Sequence, residues 1–388
     1  MNFTFLSPVQ DLVLAHNELL SSQVLGKKMK IHTAQYGIPE LEGIQLAIIG
    51  VPETRNDVDY LGEEIQLSEI RKSLYSLFPG NWATNIADLG NIERGESVED
   101  TYFAIKSTIH DLLNRNIIPI IIGGSQDLTY ANYRAYDEFI PMVNIVNVDS
   151  NFDLGDSSKP IKNTSFLGKV IMEKPYNLFN YATIGYQTYF NAQEEIDLMD
   201  KLYFEAYRLG EITKTISFVE PILRDANIVS LDLRSVCSSE VSDRQKFSPN
   251  GFNGREICAI SRYAGISNKV SSFGVYEYKP SKDDEVTSRL IAQIIWYFIE
   301  GVNCRVNDDD FNEESNYQKF TVLIDENELI FFKSNKTGRW WIEIPFLPNV
   351  NNKLKRHTLL PCMHEDYNDA TNGKIPDRWY KAFKKNSV

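Results

Sequence analysis

Polar residues cluster at three points of the sequence, each directly after a run of apolar residues. The clusters occupy residues 123–127, 149–153 and 230–234. In an extended chain, residues at positions i, i+2 and i+4 lie on the same face, so the polar members of the second and third clusters are predicted to point together. Six polar side chains are therefore expected to converge in one pocket, namely Gln126, Asp149, Asn151, Asp153, Asp232 and Arg234.

The predicted pocket would carry a net negative charge, which limits the chemistry that it can do. Its three aspartates contribute a formal charge of −3 and Arg234 contributes +1, which leaves −2. One divalent cation could balance this charge. Protonation or hydrogen bonding could also relieve it, because clustered carboxylates raise one another's pKa. The residues alone leave these alternatives open.

Strands and helices alternate through the first three quarters of the chain. Most of the predicted strands are apolar at consecutive positions, as strands buried on both faces require. They cover residues 45–51, 86–89, 117–122, 143–149, 181–186, 227–233 and 270–277. Amphipathic helices are predicted over residues 97–116, 253–264 and 287–300.

This alternation predicts a three-layer α/β/α sandwich around a mostly parallel sheet of about eight strands. A closed barrel of eight strand–helix units is the competing architecture. In an open parallel sheet, ligands bind just beyond the carboxyl ends of the strands, which is where the polar clusters lie.

The alternating pattern stops near Val302. An acidic run at residues 308–314 is interpreted as a solvated surface linker. Three strand-like segments at 319–324, 328–333 and 339–344 then predict a β-meander. We therefore expect an α/β domain over residues 1–305, an acidic linker over 306–316, and a C-terminal extension over 317–388 that packs on the main domain.

Composition argues against several classes of function. The formal net charge of −13 argues against binding to a nucleic-acid backbone, which needs a basic surface. No apolar run is long enough to span a membrane, and the first ten residues do not resemble a secretory signal. The four cysteines form no CxxC motif and no disulfide framework. The sequence thus predicts a cytoplasmic protein with neither nucleic-acid nor membrane partners.

The polar clusters resemble the motifs of the ureohydrolase family, which includes arginase, agmatinase and formimidoylglutamase. Strands of that family end in GG-x-H, D-x-H-x-D and S-x-D-x-D, and the three clusters follow that order here. Residues 274–280 are similar to the family's strand ending in E-x-N-P. The glutamate of that motif receives the substrate's guanidinium or amidine, and it corresponds to Glu277 here.

The resemblance covers about residues 40–302, and residues 48–53 fit the family's first strand. Length and acidity favour the formimidoylglutamase-like branch. The resemblance implies an arginase-like fold and a homo-oligomer.

The sequence departs from the family pattern at the metal ligands. The resemblance maps six ligands of a two-metal site onto Gln126, Asp149, Asn151, Asp153, Asp232 and Arg234. Amides replace both histidines, and Arg234 replaces an aspartate. The position of the family's proton-shuttling histidine falls near Leu167, which cannot transfer a proton. These former metal positions imply either no cofactor or one weakly bound divalent cation, such as Mn, Mg or Ca.

Three functional hypotheses follow. The first is a pseudoenzyme that keeps the ureohydrolase fold for a binding or structural role, with no confidently assigned catalytic residue. The second is a residual hydrolase of linear amidine or guanidine C–N bonds that uses one metal held by Gln126, Asp149, Asp153 and Asp232. The third is a binder of a small cationic ligand, an amidine, guanidine or polyamine, held by Glu277 and the acidic pocket.

Overall fold

The structure, a computed structural model, describes residues 3–60, 65–156, 158–242, 244, 247–280, 285–308, 311, 314–325, 327–345 and 358–387. These residues form an α/β body followed by a C-terminal extension. The strands of the body are β1 (Leu6–Ser7), β2 (Lys30–Ile31), β3 (Leu46–Val51), β4 (Ile86–Ile92), β5 (Ile118–Gly123), β6 (Val143–Val148), β7 (Leu178–Tyr186), β8 (Glu205–Arg208), β9 (Ile228–Asp232) and β10 (Ser272–Tyr276).

Helices connect and cover these strands. They are α1 (Asp11–Glu18), α2 (Ser68–Tyr75), α3 (Val98–Leu113), α4 (Leu128–Arg134), α5 (Phe166–Met172), α6 (Gln193–Lys201), α7 (Leu209–Lys214), α8 (Val219–Arg224), α9 (Gly254–Ile266) and α10 (Val286–Asn303). None of the helices in the described residues has the length and apolar character needed to cross a lipid bilayer.

The body is built on one open sheet, with strand order β1-β4-β3-β5-β10-β9-β6-β7-β8 and β2 beside β4. The eight strands from β4 to β8 in this order are parallel to their neighbours, and the short β1 runs antiparallel to β4. The mostly parallel sheet is confirmed. The competing closed barrel is wrong, because β1 and β8 lie at opposite ends of the sheet.

Successive residues of the central strands pack into different cores, as the consecutive apolar positions predicted. Ile48 of β3 belongs to a cluster that contains Ile70 of α2 and Ile294 of α10. Its neighbour Ile49 belongs to a second cluster that contains Ile105 of α3. Because adjacent side chains of a strand point to opposite faces, helices must cover both faces of the sheet. The three-layer α/β/α architecture is therefore confirmed.

Helix α3 illustrates how local sequence sets the ends of an element. The Ser97 hydroxyl accepts the backbone N–H of Asp100 at 3.2 Å, and the Asp100 carboxylate accepts the N–H of Ser97 at 2.8 Å. This reciprocal capping box starts the helix. The predicted end at residue 116 was too late, because the helix stops at Leu113 and Asn116 adopts a left-handed backbone with φ of 57°.

The extension forms a separate antiparallel sheet of four strands in the described residues. Its elements are β11 (Tyr317–Ile324), β12 (Asn327–Ser334), β13 (Trp340–Ile344), β14 (Thr358–Cys362), α11 (His364–Thr371) and α12 (Asp377–Ser387). The sheet buries its own apolar cluster around Leu329, Phe331 and Ile342. The predicted β-meander is confirmed, and β14 adds a fourth strand that the sequence pattern did not indicate.

Two buried arginines join the extension to the body. Arg224 of α8 donates to the carbonyl oxygens of Trp340 at 3.0 Å and Cys362 at 3.2 Å, and its guanidinium lies 4.3 Å from the Trp341 ring. Arg378 of α12 donates to Glu205 of β8 at 2.6 Å. The extension therefore contacts the body through buried, directional bonds.

The predicted acidic linker lies only partly within the described residues. The prediction that its acidic run is solvated is wrong at Asp308, which is buried. Its carboxylate lies 3.4 Å from Arg339 and accepts a hydrogen bond from Thr337. Asp308 can be buried because Arg339 is its partner. The acidic composition of the run does not reveal this pairing.

Candidate metal and ligand site

The carboxyl ends of four neighbouring strands bring the predicted site residues together. The four strands lie in the order β5-β10-β9-β6. Gln126 follows β5 and Glu277 follows β10, so these two residues lie side by side. Asp232 ends β9, and Asp149 directly follows β6. The register aligns Tyr276 of β10 with Asp232 of β9. Segments up to 151 residues apart in the chain therefore meet at one edge of the sheet.

Three aspartates form the centre of the site. Asp149, Asp153 and Asp232 each offer one oxygen, and these oxygens all lie within 4.8 Å of one another. All three residues are buried. Burial and the nearby Asp149 carboxylate raise the pKa of Asp153 well above its ordinary value. The cluster therefore has the form of a cation site.

Arg234 lies inside this cluster. Its Nε and Nη2 atoms lie 2.7 and 2.5 Å from Oδ2 of Asp232, and its backbone N–H donates to Oδ1 at 2.6 Å. Its Nη2 also lies 3.7 Å from Asp153. Strand β9 ends at Asp232, and the short 3-10 turn Leu233–Ser235 folds Arg234 back over the strand end. Both oxygens of Asp232 are thus bonded by one arginine.

Gln126 uses both ends of its amide within the site. Its Oε1 accepts Arg234 Nη2 at 3.2 Å, and its Nε2 donates to Asn147 at 2.8 Å. Asn147 in turn donates to Asp149 at 3.1 Å. Asn147 lies within β6, which was predicted as one of the buried strands, and it was not predicted as a site residue. Its polar side chain in an otherwise buried strand was the available signal.

Asn151 does not join the cluster. Its Nδ2 donates to the Phe190 carbonyl at 3.2 Å, and its Oδ1 accepts Ser150 Oγ at 2.8 Å. The prediction that Asn151 points into the pocket is wrong, because β6 ends at Val148 and the following residues are not a strand. Asp153 reaches the cluster through a left-handed backbone with φ of 53° instead.

Glu277 is held between two cations. Its Oε1 accepts the Gln126 backbone N–H at 2.8 Å and Asn163 Nδ2 at 3.1 Å. Its Oε2 lies 3.1 Å from Lys279 Nζ and 3.9 Å from Arg234 Nε. Burial alone would raise the pKa of Glu277, but the charges of Arg234 and Lys279 hold it below its ordinary value. Glu277 is therefore an ionised carboxylate already paired within the chain.

Lys279 is another site residue that was not predicted from the sequence. It is almost fully buried, and its Nζ lies 3.2 Å from Asp57 and 3.8 Å from Asp59 as well as near Glu277. The signal was present in the sequence, since Lys279 stands where the family motif E-x-N-P has asparagine. Asp57 could not be found in this way, because it matches no motif.

Leu167 lies on α5, fully buried, and its backbone N–H donates to the Asp153 carbonyl at 3.1 Å. The segment that resembles the family's proton-shuttle motif therefore runs beside the cluster. Its apolar side chain can neither accept nor donate a proton at this point.

Two metal ions do not fit the residues present. Asn151 is turned away, Gln126 Oε1 accepts a bond from Arg234, and the Arg234 guanidinium is a permanent cation. The three carboxylates could still coordinate one divalent cation with oxygen ligands. That ion would have to compete with Arg234 for Asp232.

Comparisons with known proteins bear on this arrangement. A family described as the arginase family matches residues 44–300. The formimidoylglutamase of Ralstonia nicotianae is 25% identical over 267 residues, which are 62% of this chain and 79% of that protein. The formimidoylglutamase of Streptococcus gordonii is 24% identical over 286 residues, 67% of this chain and 85% of that protein.

Solved structures show the same fold. The formiminoglutamase of Trypanosoma cruzi with Mn²⁺₂ aligns with a TM-score of 0.59 at 19% identity, covering 69% of this chain and 96% of that one. The formimidoylglutamase of Bacillus subtilis aligns with a TM-score of 0.60 at 17% identity, covering 71% and 97%. The arginase-family match ends at residue 300, so the C-terminal extension lies outside it.

Proposed function

The chain belongs to the arginase family, and from this premise we propose that it is a formimidoylglutamase-like member that has lost two-metal hydrolysis and serves a binding or structural role. One observation carries the proposal. The Arg234 guanidinium bonds Oδ2 of Asp232, with Nε at 2.7 Å and Nη2 at 2.5 Å, where the resemblance assigns a metal ligand. A guanidinium held there supplies positive charge but cannot generate a nucleophile.

Two chemical requirements of amidine hydrolysis support this proposal. Hydrolysis of an amidine near neutral pH requires hydroxide, which metalloenzymes make by lowering the pKa of a bound water. An arginine remains protonated and offers only hydrogen-bond donors, so it cannot activate water in this way. Leu167 adds a second loss, because proton transfer needs a titratable group.

The closure of the site also supports the loss of turnover. Gln126, Asp149, Asp232 and Glu277 are each 0% exposed. The Arg234 side chain is more exposed, at 15%, and its guanidinium is committed to Asp232. A substrate amidine would have to displace side chains of the protein before it could approach Glu277.

A residual single-metal hydrolase is the second candidate. It is favoured by the three carboxylate oxygens that lie within 4.8 Å of one another. It requires Arg234 to release Asp232 when a metal binds. A binder of a small organic cation is the third candidate, and Glu277 could serve it only after losing its pairing with Lys279.

Titration calorimetry with Mn²⁺ tests the proposal. Wild-type protein should bind well under two equivalents, whereas the triple variant Arg234→Asp, Gln126→His and Asn151→His should gain affinity. Because Asn151 faces Phe190, the double variant without the change at Asn151 should recover most of that gain. Hydrolysis of formimidoyl-glutamate should stay weak in all variants while Leu167 is present.

The exposed Arg289 provides a control with the same change of charge. Arg289→Asp should leave Mn²⁺ binding as it is in the wild type, since its partner Glu285 is also exposed. If wild-type protein binds Mn²⁺ as tightly as the triple variant, Arg234 does not replace a metal and the residual hydrolase becomes the better hypothesis.

A further inference from the structure

The loop at residues 53–60 is fastened over the edge of the sheet beside Glu277. Asn163 provides one attachment, because its backbone N–H donates to the Asn56 carbonyl at 3.1 Å and its side chain donates to Glu277. The backbone N–H of Val58 donates to Asn163 Oδ1 at 3.3 Å. The loop and Glu277 thus share one buried partner.

Lys279 provides a further attachment, through charge. Three carboxylates surround its ammonium group, with distances of 3.1 Å to Glu277, 3.2 Å to Asp57 and 3.8 Å to Asp59. Glu277 and Asp57 are buried, whereas Asp59 is exposed. Two carboxylates inside the protein would be costly without a nearby cation, so the ammonium group compensates them.

The Lys279 ammonium group is enclosed by carboxylates. Its ammonium group reaches carboxylates from two separate parts of the chain, 222 residues apart in the case of Asp57. Its side chain is only 4% exposed. A primary ammonium of this kind is chemically equivalent to the head of a small alkylammonium ion.

We propose that Glu277, Asp57 and Asp59 form a binding position for a small organic cation, and that Lys279 is its resident intramolecular ligand. Lys279 thereby keeps the loop at residues 53–60 closed and excludes external ammonium or amidinium ions. This inference extends the proposed function, since it explains how the site is kept from a substrate even where Glu277 survives. It requires no metal.

A tethered ligand has a strong advantage over a free one. Lys279 is always present next to its partners, so its effective concentration exceeds that of a dilute solute. An external cation binds only to the fraction of molecules in which Lys279 has left, which lowers its apparent affinity by that fraction. Removing the lysine head should therefore convert a closed position into an open one.

The test uses the full chain in EDTA and protonated n-propylamine as the probe. Lys279→Ala removes the ammonium and most of the stem, which leaves Asp57 without its lysine partner and Glu277 with Arg234 alone, at 3.9 Å. Calorimetry should then detect saturable binding of propylammonium at least about tenfold tighter than to the wild type. The Tm of the variant should rise with propylammonium and not with uncharged 1-propanol.

Controls separate this role from general stabilisation by an ion pair. Lys269→Ala breaks another partly buried pair, with Asp225 at 2.5 Å, and should not be rescued by propylammonium. Lys279→Arg keeps a cation at the position, so propylammonium should neither bind to it detectably nor raise its Tm. Equal binding by wild type and Lys279→Ala, or equal rescue of Lys269→Ala, would overturn the proposal.

A second measurement covers the case in which Lys279→Ala does not fold. Lysine acetylation of native wild-type protein, followed by mass spectrometry, should modify the exposed Lys201 and leave Lys279 unmodified. Modification of both at similar rates would mean that Lys279 is not a resident ligand. Because these tests run without metal, binding of two equivalents of Mn²⁺ by the wild type would contradict the proposed function and leave this inference standing.

Discussion

At the scale of single residues, Arg234 forms an ion pair with Asp232 at the centre of the carboxylate cluster. A metal ion would gather ligands from all sides, whereas a guanidinium offers donors only in its plane. Arg234 directs these donors to Asp232 and Gln126 and leaves Asp153 at 3.7 Å. Under the proposed function, Arg234 therefore keeps positive charge in the cluster but supplies no means of activating water.

Arg234→Ala should lower the free energy of unfolding by about 3 kcal/mol, because it leaves a buried carboxylate without its partner. The free energy of unfolding of Arg234→Lys should lie between those of Arg234→Ala and the wild type, since lysine keeps the charge but lacks the planar fork of donors. Urea unfolding monitored by circular dichroism measures these differences. The exposed pair of Arg289 with Glu285 is the control, and Arg289→Ala should change stability little. If Arg234→Ala lowers the free energy of unfolding as little as Arg289→Ala does, the buried Asp232 carboxylate does not depend on Arg234.

At the scale of elements, the packing of α9 against α10 relies on two glycines. A Cβ built on Gly301 would lie 2.3 Å from the Arg262 carbonyl oxygen, and one built on Gly265 would lie 2.1 Å from the Phe298 carbonyl oxygen. Neither backbone oxygen can move away without shifting a helix. The absence of side chains at these positions therefore sets the separation of the two helices that cover one face of the sheet.

Gly301→Ala should destabilise the protein by about 1–3 kcal/mol through overpacking, despite the higher helix propensity of alanine. Gly210→Ala is the matched control, because Gly210 lies in α7 and a Cβ there meets nothing within 4 Å. That variant should be stabilised by about 0.5–1 kcal/mol. Thermal unfolding of the two variants measures whether each is stabilised or destabilised. A higher Tm for Gly301→Ala would mean that α9 and α10 can move apart at little cost.

At the scale of the whole molecule, the extension is attached to the edge strand of the body by a buried ion pair. Glu205 of β8 accepts Arg378 of α12 at 2.6 Å, and Tyr207 also donates to its carboxylate. Burial alone would raise the pKa of Glu205, but Arg378 and Lys385 lower it to about 2. The attachment therefore depends on pH.

The ion pair should stabilise the folded state fully above the pKa of about 4.3 that Glu205 has in the unfolded chain. This stabilisation should be lost as the pH falls toward 2, because the pKa of Glu205 is lower in the folded state. Glu205→Gln should cost roughly 3 kcal/mol at pH 7 and flatten the acid dependence of unfolding in that range. Denaturant titrations between pH 2.5 and 7 measure both effects. The exposed Glu285→Gln serves as the control, and an unchanged acid dependence in Glu205→Gln would contradict the assignment.

The sequence by itself determined the layers of the fold and the general place of the site. Consecutive apolar residues, such as Ile48 and Ile49, encode burial on both faces, and polar residues directly after such runs mark strand ends. These signals are local, because they depend on the periodicity of a few neighbouring residues. For the same reason the sequence sufficed to identify Asp149, Asp232 and Arg234 as neighbours of strand ends.

Only the tertiary structure decided which of these side chains meet. Asn151 turned toward Phe190 because the chain after β6 is no longer extended, so a rule for strands did not apply. The meeting of Lys279 with Asp57 depends on a loop placed by the strand order, across 222 residues of sequence. Such pairings are fixed by how the strands are arranged in the sheet, and periodicity along the chain carries no information about that arrangement.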